Sequence, residues 1–283
     1  MAHPQLDGRG AVVTGAGGGI GEALARRLVE EGARVVVNDV DADAVRRVAD
    51  DIGATAVPGD AASTAGVEAL LDAATEALGR IDVYCANAGI DRTIADSLQA
   101  SDEVWEQMLH VNVMGHVRAA RALVPRWLPG TGDGGGGRFV VTASAAGLLT
   151  MIGAAPYSTT KHAAVGFAEW LSVTYGDRGV DVQAICPQGV QTAMLEQAGP
   201  LKDLLSHDEA LAPADVAAAW VDSIADDGSS PFLVLPHPEV GPYYAARAAD
   251  TDRWLGGMRR LRAKVDRFID QSDQSDQSDQ SDR

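Results

Sequence analysis

Two side chains one helical turn apart could together transfer a proton. Tyr157 and Lys161 lie four residues apart in Tyr-Ser-Thr-Thr-Lys, a spacing that places both on one face of a helix. A tyrosine with its ordinary pKa of about 10 is a poor base at neutral pH, and a neighbouring ammonium favours the phenolate. The pair therefore indicates acid-base chemistry at an oxygen atom.

A glycine-rich segment near the start of the chain joins an apolar run to an amphipathic run. It reads Thr-Gly-Ala-Gly-Gly-Gly-Ile-Gly over residues 14–21. Glycines allow a tight turn and close backbone approach, and the N-terminus of a following helix offers N–H groups to a pyrophosphate. A flexible turn is the alternative. The context favours dinucleotide binding by Gly15, Gly18, Gly19, Ile20 and Gly21.

An acidic residue, Asp39, closes the next apolar run. A carboxylate there can accept hydrogen bonds from both hydroxyls of an adenosine ribose, and it repels a 2′-phosphate. The nearest basic residue downstream is Arg46, so we expect NAD(H) rather than NADP(H). Capping of the next helix is the alternative role, which Asp41 can fill instead.

Apolar runs and amphipathic runs alternate along most of the chain. We predict strands at Ala11–Thr14, Arg34–Asp39, Thr55–Pro58, Asp82–Ala86, Arg138–Ala143, Val180–Cys186 and Phe232–Leu235. We predict helices at Gly21–Glu31, Asp41–Asp51, Thr64–Leu78, Ser101–Leu128, Tyr157–Tyr175 and Pro213–Ile224. This alternation is typical of the α/β class, with a doubly wound parallel sheet covered by helices on both faces. We expect one domain over residues 6–270.

The C-terminal part of the chain departs from this alternation. An apolar stripe at steps of four and three residues predicts a helical extension, formed by Trp254, Met258, Leu261, Val265 and Phe268. The stripe could cover a pocket, lie in an oligomer interface or pack on its own domain. Residues 271–283, four Gln-Ser-Asp copies and a final arginine, lack apolar side chains. We therefore predict a disordered tail there.

Composition excludes several classes of function. The chain of 283 residues has 40 acidic and 23 basic residues, a net charge of −17 that disfavours nucleic acids and anionic membranes as partners. No apolar run approaches the roughly 18 residues of a membrane-spanning helix, and the start lacks a secretory signal pattern, so we expect a cytoplasmic protein. Cys85 and Cys186 lie in apolar runs and are expected to be buried. Histidine spacing predicts no metal site, and His237 is expected in a turn.

Taken together, these motifs resemble the short-chain dehydrogenase/reductase family in its compact single-domain branch. The matching motifs occur in family order between about residues 6 and 235. They are the glycine turn, Asp60-Ala61, Asn87-Ala88-Gly89, Asn112 after Val111, Ser144, and Tyr157 with Lys161. The resemblance implies a Rossmann fold and hydride transfer between NAD(H) and a secondary alcohol or ketone.

The resemblance also implies roles for individual residues. Tyr157 would exchange a proton with the substrate oxygen, and Lys161 would hold the nicotinamide ribose and depress the pKa of Tyr157. Ser144 would hydrogen-bond the carbonyl or alkoxide, and Asn112 would support a water relay ending at Lys161. Asp60 and Ala61 would contact the adenine. The remaining dinucleotide contacts would be Asn87, Ala88, Gly89 and Val111.

One segment departs from the family pattern Pro-Gly-x-Val-x-Thr. Here residues 187–192 read Pro-Gln-Gly-Val-Gln-Thr, so Gln188 stands where the family has glycine. The resemblance places Val190 and Thr192 at the nicotinamide carboxamide, with Pro187 and Gly189 beside the cofactor. We hypothesise that Gln188 contacts the substrate.

The expected walls of the substrate pocket are apolar. They are the segments Gly147–Ala155, Ile90–Ile94 and Ala193–Leu205. No basic residues cluster there to bind a carboxylate or phosphate, so we favour a hydrophobic or aromatic alcohol or ketone. Packing of the loops is the alternative. The expected substrate contacts are Ser144, Leu148, Met151, Tyr157, Gln188 and Met194.

Two other functions stay open at this point. One is reduction of a 3-oxoacyl thioester, and the other is a non-catalytic, NAD-sensing scaffold. The presence of Asn112, Ser144, Tyr157 and Lys161 together argues against the scaffold. The resemblance further suggests a homotetramer or homodimer formed through the helices predicted at 101–128 and 157–175.

Overall fold

A seven-stranded parallel sheet forms the centre of the protein in the computed structural model, which describes residues 2–92, 97–130, 135–196 and 210–281, with side chains as far as Arg267. The strands lie in the order β3-β2-β1-β4-β5-β6-β7. Their bounds are β1 Gly10–Thr14, β2 Arg34–Asn38, β3 Thr55–Ala56, β4 Val83–Ala86, β5 Gly137–Thr142, β6 Val180–Ile185 and β7 Leu233–Val234. The predicted fold class is confirmed.

Helices connect the strands and continue beyond the last one. They are α1 Gly19–Glu30, α2 Ala42–Ile52, α3 Thr64–Leu78, α4 Asp102–Leu109, α5 Gly115–Trp127, α6 Ala155–Tyr175, α7 Ala193–Glu196, α8 Pro213–Asp222, α9 Val240–Ala249 and α10 Thr251–Ser281. Short 3-10 turns lie at Ser97–Gln99, Ala145–Gly147 and Gly176–Arg178. In the described part of the chain, no helix is both long and apolar enough to cross a membrane.

Strand residues alternate between two buried clusters, because successive side chains of a strand point to opposite faces. On β1, Val12 packs with apolar residues of α3, α5 and α6, whereas Val13 packs with those of α1, α2 and α8. Cys85 and Cys186 are buried free thiols, as predicted. With both faces covered, the carboxyl ends of the strands form one edge. The order reverses at β1 and β4, the place where such sheets bind ligands.

The helix predicted at 101–128 is interrupted. A π-helical turn at His110–Met114 separates α4 from α5 and contains Asn112. The Asn112 amide is held from outside the helix, because it bonds the backbone of Ile90 and the hydroxyl of Thr160. A wide turn at a site of such contacts is a common feature of helices that carry functional residues.

The C-terminal helices pack across the carboxyl edge of the sheet. Arg247 on α9 donates to the carbonyl of Leu148 and, at 3.1 Å, to Nε2 of His162 on α6. Trp254 on α10 packs against the core. The backbone of α10 extends through residues 271–281, for which the sequence predicts disorder. Disorder of that segment in solution stays a prediction, which backbone amide hydrogen exchange would test.

Candidate active site

A cavity of about 1210 Å³ opens at the carboxyl ends of the strands. The glycine turn, the strand ends and α6 form one side, and α9 and α10 form the other. The cavity brings together most of the site residues predicted from the sequence. Those lining it are Gly15, Gly18, Gly19, Ile20, Gly21, Asp39, Asn87, Ala88, Gly89, Ser144, Met151, Tyr157, Lys161, Pro187, Gln188, Gly189, Val190, Thr192 and Met194.

The turn between β1 and α1 requires its glycines. Gly15 and Gly19 have φ of +64° and +57°, a region that side chains disfavour. A Cβ atom on Gly21 would lie 2.1 Å from the carbonyl oxygen of Gly15, and one on Gly15 would lie 2.8 Å from Cα of Ala88. The first turn of α1 has no side-chain cap, so its N–H groups are available to an anion. This cradle fits a dinucleotide pyrophosphate.

A hydrogen-bond network ties the glycine turn to the end of β4. The Thr14 hydroxyl accepts from the N–H groups of Asn87 and Ala88 at 3.0 and 3.1 Å and donates to the carbonyl of Cys85. The Asn87 amide donates to the carbonyls of Thr14 and Gly15 at 2.9 and 3.1 Å. Sequence reasoning did not assign a role to Thr14, although its position directly before the glycine turn was a signal.

Asp39 lies in the cavity beside the glycine turn. Its carboxylate accepts from the N–H groups of Gly17 at 2.9 Å and Asp41 at 3.0 Å. Asp41 caps α2, as expected, by accepting from two backbone N–H groups. Arg47 also reaches this turn and donates to the carbonyl of Gly17 at 3.4 Å. Arg47 was not expected here from the sequence, because it lies beyond the residues that directly follow Asp39. The first turns of α2 bring it back towards the glycine turn.

Three residues expected to contact the dinucleotide lie outside the cavity wall. The Asp60 carboxylate accepts from the N–H of Ala62 at 2.9 Å, which closes a local turn. Ala61 is buried in the core. Val111 lies in the π-helical turn. Their predicted roles at the adenine and cofactor therefore gain no support from the shape of the cavity.

Tyr157, Ser144 and Lys161 converge at the centre of the cavity. The Lys161 ammonium lies 5.6 Å from the centroid of the Tyr157 ring and donates to the carbonyl of Thr142 at 2.9 Å. The Ser144 hydroxyl hydrogen-bonds the Tyr157 phenol and accepts from the N–H of Ala146 at 3.1 Å. The start of α6 and the turn after β5 thus position all three side chains.

Burial dominates the electrostatics of this cluster. It raises the pKa of Tyr157 to about 12, although the hydrogen bond from Ser144 acts in the opposite direction. Burial also lowers the pKa of Lys161 to about 8. In the protein alone the pKa of Tyr157 is therefore raised, because desolvation of the phenolate outweighs the hydrogen bond from Ser144. A depressed pKa in the presence of oxidised nicotinamide stays a prediction.

Asn112 positions the segment next to Lys161 rather than contacting the ammonium. Its side chain accepts from the N–H of Ile90 at 2.8 Å and donates to the carbonyl of Ile90 at 2.9 Å. Gly89 lies between the two side chains, since a Cβ there would be 3.3 Å from Oδ1 of Asn112 and 3.4 Å from Nζ of Lys161. The predicted water relay stays a prediction.

A buried histidine lies close to this cluster and was missed by sequence reasoning. His116 follows Asn112 by four residues, so both lie on the buried face of the interrupted helix. Burial and the Lys161 charge lower the pKa of His116 to about 3. The i, i+4 spacing from Asn112 was the available signal.

The segment after β6 departs from the family pattern at Gln188, and His237 hydrogen-bonds the backbone at that position. The N–H of Gln188 donates to Nδ1 of His237 at 3.1 Å, and His237 is buried in the turn after β7. Gln188 itself lines the cavity. Thr192 packs close to Gly19, where a Cβ would lie 3.2 Å from its methyl group. The segment therefore spans from the reacting groups to the glycine turn.

Four residues of the apolar stripe of α10, Trp254, Met258, Leu261 and Val265, line the cavity, and Trp254 also packs against the core. A role of the stripe in an oligomer interface stays a prediction. The lining residues of α10 face apolar side chains of the loops after β5 and β6. The apolar lining consists of Leu149, Met151, Ile152, Met194, Leu195, Trp254, Met258, Leu261 and Val265. Of the walls expected from the sequence, residues 93–94 and 197–205 lie outside the described residues.

One expectation about the pocket needs correction. Leu148 was expected to contact the substrate, but it is buried in the core and does not line the cavity, whereas the adjacent Leu149 does. Two arginines from outside the expected walls, Arg253 and Arg260 of α10, also line the cavity. Both arginines are far in sequence from the loops that form the other wall. Among the described residues, no acidic, histidine or cysteine cluster could hold a metal ion.

The chain is similar to known dehydrogenases. Residues 9–202 match the short chain dehydrogenase family. A 1-deoxy-11-beta-hydroxypentalenate dehydrogenase of Streptomyces exfoliatus is 40% identical over 68% of this chain and 70% of that protein. A meso-2,3-butanediol dehydrogenase of Serratia marcescens is 34% identical over 80% of this chain and 90% of that protein.

A solved structure is similar along most of its length. It is a short chain dehydrogenase/reductase from Burkholderia phymatum in complex with NAD, which superposes with a TM-score of 0.77 at 30% identity and covers 88% of this chain and 95% of that one. The chain therefore belongs to the short-chain dehydrogenase/reductase family. It is an oxidoreductase that acts on alcohols or ketones with a nicotinamide cofactor.

Proposed function

We propose that this protein transfers a hydride between NAD(H) and an apolar secondary alcohol or ketone. One observation carries the proposal: the Tyr157 cluster lies in a single cavity between the glycine turn and an apolar wall. A dinucleotide on the glycine turn and a substrate against α10 would therefore meet at the same tyrosine.

Each member of the cluster has a distinct task in this proposal. When bound, the nicotinamide accepts or supplies the hydride, and its oxidised form carries a positive charge that favours the Tyr157 phenolate. Tyr157 takes the hydroxyl proton during oxidation and returns it during reduction. Ser144 donates a hydrogen bond to the substrate oxygen, and Lys161 donates to the nicotinamide ribose. Asn112 holds the backbone at Ile90 that forms the adjoining wall.

The choice of NAD(H) over NADP(H) is supported by Asp39. Its carboxylate lies in the cavity at the glycine turn, where a 2′-phosphate would meet a negative charge. Arg47 is the competing influence, because its guanidinium reaches the same turn. We expect NADH to bind at least about tenfold more tightly than NADPH. The variant Asp39→Asn should narrow that preference, and Arg47→Ala should widen it. Equal binding of both cofactors by the unmodified protein would refute the assignment.

The proposed substrate class is supported by the cavity wall and by two relatives. The name of the Streptomyces exfoliatus protein specifies a hydroxylated pentalenate, and that of the Serratia marcescens protein specifies a butanediol. The apolar lining from Leu149 to Val265 favours the larger, less polar type of alcohol for this chain. A panel of secondary alcohols of increasing size with NAD⁺, followed by NADH absorbance, tests this preference.

The variant Tyr157→Phe tests the chemistry directly. We expect at least a hundredfold loss of kcat while NADH still binds, because the ring stays and only the acid-base group is removed. The control is Tyr175→Phe on the same helix, where the ring packs against Arg178. Residual turnover near that of the unmodified protein would remove Tyr157 from the mechanism. NADH binding without turnover of any alcohol, ketone or acetoacetyl-CoA would favour the scaffold role instead.

We also propose assembly as a homodimer or homotetramer through the α4–α5 and α6 faces. On α6, Trp170 is 53% exposed and Val173 is 83% exposed, which is unusual for large apolar side chains on one helix. Light scattering coupled to gel filtration tests the assembly. The variant Trp170→Arg should reduce the mass towards that of the single chain, and an unmodified protein that is monomeric would refute the proposal.

A further inference from the structure

Two arginines of α10 line the active-site cavity. Arg253 and Arg260 are seven residues apart, so they lie on one helix face about 10 Å apart along the axis. The apolar stripe that begins at Trp254 lies beside them on this face. Both arginines are exposed residues, which places their guanidinium groups at the cavity mouth. The wall of α10 therefore combines an apolar surface with two cationic groups.

Neither guanidinium is neutralised by another described residue. Arg262, on the same helix, pairs with Asp266 at 2.7 Å, but no such pair forms at Arg253 or Arg260 among the described residues. Asp250 lies nearby, yet its carboxylate accepts from the N–H of Arg253 at 2.9 Å and so caps the start of α10. Two free cations in a chain of net charge −17 are an unusual local excess.

The backbone next to Arg260 leaves room for its guanidinium. Cβ atoms on Gly256 and Gly257 would lie 3.6 and 3.9 Å from its nitrogen atoms. Gly257 lines the cavity, so the guanidinium lies over a stretch of helix without side chains at the cavity wall.

Acidic and basic side chains line both sides of the cavity. Asp91 lines the reacting end, and its negative charge acts on both Tyr157 and Lys161. The arginines lie on the α10 side. The arginines would attract a substrate carboxylate to the α10 side. A substrate held there by its carboxylate can extend its remaining part towards Tyr157.

We propose that Arg253 and Arg260 bind a carboxylate of the substrate, which makes the natural substrate an apolar hydroxy acid or oxo acid. The carboxylate lies at the end of the molecule remote from the reacting carbon. This inference rests on the proposed function, because it assigns the substrate class of that same site. The phosphates of the cofactor have a separate site at the N-terminus of α1.

A matched series of substrates tests the proposal. The (ω−1)-hydroxy fatty acids from hexanoate to tetradecanoate are secondary alcohols, and each is compared with its methyl ester in NAD⁺ reduction. At the best chain length we expect kcat/KM to be roughly tenfold higher for the acid, as two partly solvated charge-assisted contacts provide. In Arg253→Gln/Arg260→Gln the ratio of kcat/KM for the acid to that for the ester should fall to about one. Arg259→Gln, an exposed arginine outside the cavity lining, should keep the ratio.

A binding measurement separates this proposal from the proposed function. Decanoate and methyl decanoate are titrated into the protein–NADH complex, with tryptophan fluorescence as the readout. We expect tighter binding of decanoate and loss of that preference in the double variant. Equal binding of acid and ester overturns the carboxylate site even if the protein oxidises alcohols. Weaker NADH binding by the double variant assigns the arginines to the cofactor and also overturns it. Failure to oxidise any alcohol, with the decanoate preference intact, refutes the proposed function alone.

Discussion

The buried ammonium of Lys161 should make protein stability depend on pH in a way that one substitution removes. Lys161 is 4% exposed, and burial lowers its pKa from 10.5 to about 8. At about 1.4 kcal/mol per pH unit, the folded protein disfavours the charged form by roughly 3 kcal/mol below pH 8. The variant Lys161→Met keeps most of the apolar stem and removes the charge.

The direction of the effect follows from proton binding. Between about pH 8 and about pH 10.5 the unfolded chain retains a proton that folded Lys161 has released, so the free energy of unfolding rises with pH. The variant lacks this contribution. The difference in unfolding free energy, original protein minus Lys161→Met, should therefore increase by about 2 kcal/mol from about pH 6.5 to about pH 9.5.

Neighbouring groups do not titrate in this range. Burial raises the pKa values of Tyr157 and Cys186 to about 12 and lowers that of His116 to about 3. All three therefore keep one protonation state from pH 6.5 to pH 9.5. The pH-dependent difference can be assigned to Lys161.

Urea unfolding at fixed ionic strength and protein concentration measures this difference. Losing the hydrogen bond from Lys161 to the carbonyl of Thr142 lowers the unfolding free energy of the variant by a constant amount. Comparing how the unfolding free energies of the two proteins change with pH removes this constant. Lys264→Met is the control, because Lys264 is exposed on α10 and its curve should parallel that of the original protein. A Lys161→Met curve that is also parallel would show that burial does not disfavour the ammonium, and the reasoning would be refuted.

Other substitutions test the remaining contacts. Gly21→Ala should abolish NADH binding in a fluorescence titration, since its Cβ would lie 2.1 Å from a carbonyl oxygen. Arg247→Ala should raise KM for a long apolar alcohol several-fold with NADH affinity unchanged, because α9 loses its contacts with Leu148 and His162. His237→Phe should lower the unfolding free energy by about 1 kcal/mol, because the part-buried N–H of Gln188 loses its acceptor.

Each of these predictions has a contrary outcome. NADH binding by Gly21→Ala would show that the glycine turn can move without cost. A changed NADH affinity in Arg247→Ala would mean that α9 supports the cofactor side of the cavity. Unaltered stability in His237→Phe would mean that another group or water satisfies the Gln188 N–H.

Local patterns predicted the parts of the fold that local sequence determines. Strands β1 and β5 each contain a run of three apolar residues, 11–13 and 139–141, buried on both faces, a pattern typical of a parallel sheet covered by helices. The glycine turn, Asp39 and the Tyr157–Lys161 pair each depend on spacing within one or two elements. The structure brings all of them to one cavity.

Contacts between distant segments could not be predicted in the same way. The choice of Leu149 over Leu148 depends on the direction of a short 3-10 turn, which composition does not encode. Arg253 and Arg260 reach the cavity only because α9 and α10 fold back after β7. The raised pKa of Tyr157 depends on burial by residues from several elements, and that quantity is invisible in a four-residue spacing.

The C-terminal wall of the cavity comes from a later part of the chain than the tyrosine cluster. The family match ends at residue 202, and the catalytic cluster lies within it, but α9 and α10 begin at residue 240. The tyrosine cluster and the α9–α10 wall of the cavity are therefore encoded in different stretches of the gene. Exchanging residues 240–267 between relatives would be a direct way to redirect the enzyme to a new alcohol while its hydride-transfer groups remain unchanged.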